Sequence, residues 1–228
     1  MTDLAGIIQG VSVWALPLVL AVTLHEAAHG YAARALGDDT AWRLGRVSLN
    51  PLKHIDPFGT IVLPGLLLLL GGVVFGWAKP VPVNFGKLRN PRWGMVAVAA
   101  AGPGANIALA VAAVLLVNLL PFVPQSGRAW FIFNLDNAIY LNLLLAVFNM
   151  IPIPPLDGGR VAVGLLPRPL AWRYARLENV GMLIILAALF ILPFVGSRIG
   201  VNLDLFRWLV NGPVDMLATL ILGIAGPS

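Results

Sequence analysis

The sequence predicts an all-α polytopic membrane protein, with five or six transmembrane helices and a re-entrant or extended segment near residues 58–90. Three observations predict it. Of 228 residues, 59% are hydrophobic and only 11% charged, where a soluble domain carries about 25% charged residues. The apolar residues fall in runs near the ~20 residues needed to cross a bilayer. The basic residues gather in the stretches between those runs, as they do beside membranes. No linker divides the chain, so residues 1–228 read as one membrane-embedded domain, with a core over 11–165 and accessory C-terminal helices over 179–224.

The first span covers about 11–34. Met1–Gly10 has no basic residue, so this run reads as a retained helix and not a cleaved signal peptide. The next apolar run, Phe58–Trp77, contains Pro64-Gly65 and Gly71-Gly72. It is long enough to span but punctuated like a re-entrant hairpin, a form tolerated only where protein or a water-filled cavity surrounds it. Residues 80–90, Pro-rich and partly alternating, read as an edge strand or extended loop. Further spans are expected over 93–120, 137–152, 179–197 and 205–224, the third ending near Pro152 or running on to Leu166 as a broken helix. Arg34, Arg43, Arg46, Lys53, Lys79, Lys87, Arg89 and Arg92 lie on both sides of the 58–77 run. Positive-inside bias therefore favours five spans, with the N-terminus outside and this basic stretch cytoplasmic.

The net charge of +5 raises nucleic acid as a partner. The basic residues flank apolar runs, however, and no aromatic-plus-basic recognition motif accompanies them, so the bilayer is the expected partner and nucleic acid is not. Cysteine is absent. That excludes disulfides, thiolate metal sites and cysteine nucleophiles, and leaves His, Asp and Glu as metal ligands.

His25-Glu26-Ala27-Ala28-His29 matches H-E-x-x-H. On a helix, positions i and i+4 share a face, so His25 and His29 can reach one ion, with Glu26 beside it to act on water. The motif closes an apolar run. Ionisable groups at membrane depth are costly unless paired or ligated, which marks them as functional. Catalytic zinc takes three protein ligands and keeps one open position. Asp157 supplies the third. It follows Pro152, Pro154 and Pro155, which deny the backbone its helical bonds, and precedes Gly158-Gly159, which permit a sharp turn. The expectation is one zinc per chain on His25, His29 and Asp157, with Glu26 as general base.

Together with Gly102-Pro-Gly-Ala-Asn106 and Asn149-Met-Ile-Pro-Ile-Pro-Pro-Leu-Asp157-Gly-Gly, in that order, the motif resembles the site-2 protease family of intramembrane zinc metalloproteases. The stretch Asn50–Thr60 is similar to its compact prokaryotic subgroup. The resemblance implies a three-helix core, a transmembrane protein substrate, no PDZ or CBS module, and a prokaryotic plasma membrane with the active site toward the cytoplasm. It places Asn106 near the active site, where it would hold substrate or an oxyanion or simply serve packing. Asn149 would bind substrate backbone or answer carbonyls freed by Pro152. His54 reads as a fourth ligand, a supporting donor behind the metal or an interfacial loop histidine. An unwound substrate would pair with the extended 73–84 edge. The function expected is regulated intramembrane proteolysis by metal-activated water. The alternatives are a membrane metal-ion transporter, which would show repeated broken helices, and an inactive zinc-binding scaffold.

Overall fold

The computed structural model describes residues 4–69, 75–205 and 207–225. Five helices among them are long and apolar enough to cross a membrane: α1 (Leu4–Ala35), α3 (Pro91–Leu116, extended by a tighter turn to Phe122), α4 (Gln125–Asn149), α7 (Glu178–Ile199) and α8 (Arg207–Ala225). The shorter helices are α2 (Pro57–Leu69), α5 (Asp157–Leu165) and α6 (Arg168–Ala175). No strand occurs among the described residues.

The centre of the bundle is α1, α3 and α4, with α5 against α3 and α8 against α4. Its packing follows from one spacing. In α1 the buried positions recur as Val13, Pro17, Ala21, His25, His29 and Ala33. In α3 they recur as Gly94, Val98, Gly102, Asn106, Ala110 and Val114. Each stripe steps by four residues, the ridge that packs best against a like ridge. Ala21 and Ala33 in the first stripe and Gly94, Gly102 and Ala110 in the second are small side chains, which let helices approach closely in lipid. Farther along, Ala110, Val114, Leu143, Val210, Val214 and Ile221 join α3, α4 and α8 in an apolar cluster.

Pro17 sits inside α1 and cannot donate to the carbonyl of Val13, four residues earlier. Asn137 Nδ2 of α4 donates to that carbonyl at 2.8 Å. About two turns earlier on α4, Trp130 Nε1 donates to Ser12 Oγ at 2.9 Å. These bonds account for a difference from expectation. α4 starts at Gln125 and not near 137, because Asn134 and Asn137, which depress the local hydropathy, are answered within the protein, Asn134 by the Trp130 carbonyl. The chain does not run on as helix from α4 to Leu166 either. It turns at 150–156 and restarts at Asp157.

The 58–77 run returns on itself. Trp77 N donates to the carbonyl of Gly59 at 3.1 Å, and Thr60 Oγ1 donates to the carbonyl of Trp77 at 2.9 Å. The two ends of the run are therefore at one level, and α2 is not a sixth span. Gly71 and Gly72 lie outside the described residues. Residues 75–84 then form an extended strap without regular structure. Trp77 is half-buried and its ring is tilted against that of Phe58, with centroids 5.9 Å apart.

Candidate metal centre

α1 and α5 bring together His25, His29 and Asp157, all buried. The two Nε2 atoms are 3.1 Å apart, and Asp157 Oδ2 lies 3.2 Å from His25 Nε2 and 3.3 Å from His29 Nε2. Two donors about 2.0–2.1 Å from a tetrahedral zinc ion lie about 3.3 Å from each other, so the triangle has the right edge.

The placement of the imidazole protons also suits a bound cation. His29 Nδ1 lies 2.7 Å from the carbonyl of Val98, which can only accept, so Nδ1 carries the proton. His25 Nδ1 lies 2.5 Å from Asn106 Oδ1. Asn106 Nδ2 is turned the other way, donating to the carbonyl of Ala21 at 3.2 Å and to Asn142 Oδ1 at 2.8 Å. His25 Nδ1 is therefore a donor too. In both neutral rings the proton sits on Nδ1 and the Nε2 lone pairs face each other and the carboxylate. Asp157 Oδ2 is within ion-pair distance of both rings yet accepts no hydrogen bond. Three lone pairs converging in a buried site repel one another until an ion sits among them. Two imidazoles and a carboxylate suit zinc.

Gly102 is part of this arrangement. A Cβ there would lie 2.5 Å from His29 Nε2 and 2.6 Å from His25 Nε2, so only glycine lets α3 pass the donors. Gly158 and Gly159 play the equivalent part for Asp157: a Cβ on either would enter the backbone of 150–154. A Cβ on Gly181 of α7 would meet the carbonyl of Pro154, which shows α7 seated on the loop that carries Asp157.

Glu26 is half-buried, and its Oε2 accepts from Val81 N of the strap at 2.8 Å. The strap is fixed at several points. Lys79 N donates to the carbonyl of His54 at 2.8 Å. Arg46 Nη2 donates to the carbonyls of Lys79 and Pro80 at 3.0 and 3.3 Å. Asp38 Oδ2 accepts from Asn84 N at 2.6 Å. Pro80 and Pro82 flank Val81 and have no N–H, so between Lys79 and Val83 only Val81 can donate. Asp38 lies in the turn between α1 and Thr40. It caps Thr40, through Thr40 N at 3.0 Å and Thr40 Oγ1 at 2.5 Å, and it is buried. Burial pushes its carboxyl up, and the bonds from Thr40 and Asn84 with the nearby Lys87 charge outweigh it, leaving its pKa below the ordinary 3.8.

The remaining expected residues fall as follows. Asn106 is fully buried and its amide is committed to His25, Asn142 and Ala21. Asn149 Nδ2 donates to the carbonyl of Leu145 at the end of α4. His54 is buried, with Nε2 donating to the carbonyl of Ser48 at 2.9 Å. It is not among the donors that converge with His25, among the described residues. The sequence reading missed Asn142, the Val98 carbonyl, Arg46 and the Val81 N–H. Only Asn142, a polar residue inside an apolar helix, carried a signal that could have found it.

The family model of peptidase family M50 matches residues 13–129 and 125–192. The chain is 41% identical over 188 residues to "Putative zinc metalloprotease YwhC" of Bacillus subtilis, covering 81% of this chain and 82% of that one. It is 33% identical over 165 residues to "Putative zinc metalloprotease MJ0611" of Methanocaldococcus jannaschii, covering 70% and 72%. It is 33% identical over 141 residues to "Putative zinc metalloprotease Rip2" of Mycolicibacterium smegmatis, covering 61% of this chain and 52% of that protein's length. No solved structure matches the chain.

Proposed function

We propose that this chain, which belongs to peptidase family M50, the site-2 proteases, and is a membrane zinc metalloprotease, cleaves transmembrane or membrane-associated proteins at membrane depth, with His25, His29 and Asp157 as zinc ligands and Glu26 as general base. The observation that carries the reading is the buried triangle of His25 Nε2, His29 Nε2 and Asp157 Oδ2, with a carboxylate one residue along α1.

When bound, zinc supplies Lewis acidity, making water acidic enough to be a nucleophile near neutral pH and polarising the scissile carbonyl. The chain's own groups do the rest. The Val98 carbonyl and Asn106 Oδ1 hold the two imidazoles by their Nδ1 protons, keeping Nε2 free for the metal. Glu26 is held through Oε2 by Val81 N. Its Oε1 is then the oxygen that takes a proton from the attacking water and returns it to the leaving amine. The strap lies beside Glu26, where an unwound substrate segment would meet extended backbone.

The same reading places the site on the cytoplasmic side of a prokaryotic plasma membrane, supported by the basic residues around 34–92 and by the bacterial and archaeal relatives. Because the chain lacks cysteine, a single Ser48→Cys variant reports sidedness directly. Labelling by an impermeant thiol reagent in intact cells would contradict the cytoplasmic placement.

The decisive experiment compares wild type, Glu26→Gln and Asp157→Ala in detergent, measuring bound zinc and cleavage of a transmembrane substrate on the same samples. Glu26→Gln should keep its zinc and lose about 100- to 10,000-fold in turnover. Asp157→Ala should lose both. Undiminished cleavage by Glu26→Gln would overturn the assignment of the base. Zinc retained in Asp157→Ala would overturn the ligand set.

A further inference from the structure

Asn142 belongs to no sequence motif that this site uses, yet it is buried in the middle of α4, 3% exposed. A primary amide in an apolar helix is retained in lipid only where it finds partners. Asn142 has two. Its Nδ2 donates to the carbonyl of Ala138 in its own helix at 2.8 Å, and its Oδ1 accepts from Asn106 Nδ2 at 2.8 Å. The direction of the first bond is not a matter of choice, because a backbone carbonyl can only accept. Ala138 therefore sets Nδ2 of Asn142 toward itself and Oδ1 toward α3. That oxygen in turn demands an N–H from Asn106, which turns Asn106 Oδ1 toward His25 Nδ1 at 2.5 Å. His25 must then carry its proton on Nδ1, and its Nε2 lone pair points at Asp157 and His29.

We infer that Asn142 is a positioning residue for zinc: through Asn106 it fixes the tautomer of His25 and so keeps Nε2 available to the metal. The inference rests on the zinc-site reading above. If Asn142 lost its oxygen, the longer 3.2 Å bond to the Ala21 carbonyl alone would oppose rotation of the Asn106 amide. A rotated amide would present N–H to His25 Nδ1, push the imidazole proton to Nε2 and block ligation. Groups that orient a metal ligand change metal affinity by about 10- to 100-fold, and the surviving Ala21 bond puts Asn142 at the lower end.

The test is the zinc dissociation constant of detergent-purified protein, measured by competition with a chromophoric chelator and with zinc alone as ligand. Asn142→Leu, with the same branching and number of heavy atoms, should bind zinc about 10-fold more weakly. Asn142→Asp keeps an oxygen for Asn106 and should stay within about 3-fold of wild type, although it buries a charge. A purely packing role predicts the reverse order, since leucine suits the apolar helix and aspartate does not. In an Asn106→Asp background, where either carboxylate oxygen can accept the one N–H of His25 Nδ1, Asn142→Leu should add almost nothing. If Asn142→Leu does not accumulate, Asn142→Ala reports the same loss of oxygen. Zinc bound by the leucine or alanine variant as tightly as by wild type, or more weakly by the aspartate variant than by the leucine one, would overturn the inference while leaving the zinc site standing. Wild-type protein that binds no zinc defeats the site reading itself.

Discussion

His25, His29 and Asp157 are carried by helices, and each proton behind the two imidazoles is held by another helix: Val98 and Asn106 on α3, Asn142 on α4. Glu26, one residue from His25, is held instead by a strap without repeating structure, whose own backbone is tied to Asp38, Arg46 and His54. The donor set is thus rigid through close helix packing, where a change of one methyl is felt. Glu26 is positioned by a segment whose hold is divided among several separate hydrogen bonds. Damage to the first should therefore be abrupt and appear in metal binding. Damage to the second should be graded and appear in turnover.

The sharpest way to break this contrast is Gly102→Ala. Its Cβ would enter the space between the two Nε2 atoms, and zinc affinity should fall by more than about 100-fold, beyond the range typical of orienting groups. A chelator titration checks this, and near-normal binding would mean that the bundle yields more easily than helix packing allows. On the strap, Asp38→Asn should cost about 2 kcal/mol at neutral pH, the scale of hydrogen bonds to a charged acceptor, read as a lower melting temperature in detergent. The pKa of Asp38 is lowered in the folded state, so its contribution is present above the ordinary 3.8 and is lost as pH falls through the depressed value. The two melting curves should accordingly draw together in acid and stay apart at neutral pH.

Val81→Pro, which removes the single N–H on Glu26, should slow turnover about 10-fold with zinc content unchanged, equivalent to roughly 1.4 kcal/mol. Val81→Ala keeps the N–H and serves as its comparison. An equal loss in both would assign the effect to the side chain and not to the hydrogen bond. The smallest effect is expected from Arg46→Ala. Its two carbonyl contacts are solvent-exposed, so turnover should change by no more than about 3-fold, under about 1 kcal/mol.

The same contrast explains which parts could be read from the sequence. His25, Glu26 and His29 stand at helical spacing, and Asp157 follows a proline cluster, so local rules reach them. The apolar runs locate the spans, but nearly the N-terminal half of α4 escaped because Asn134 and Asn137 lower its hydropathy. The partners that make them tolerable, such as the carbonyl freed by Pro17, are distant in sequence. The strap was legible only as extended backbone. That Val81 and not Val83 meets Glu26 depends on where Asp38, Arg46 and His54 grip it, and no local pattern encodes that register. Asn106 stood out as an amide within an apolar run, but the direction of that amide depends on Ala21 and Asn142, on two other helices.

The scatter of the donors along the chain bears on biosynthesis. α1 is made first and carries both histidines and Glu26. The proton holders of those histidines arrive only with α3, and the carboxylate only after α4 has been made and the chain has turned at 150–156. A nascent chain thus inserts H-E-x-x-H into the bilayer long before it owns three donors for a metal. A metal site on this triangle can therefore be completed only when α5, its last element, docks.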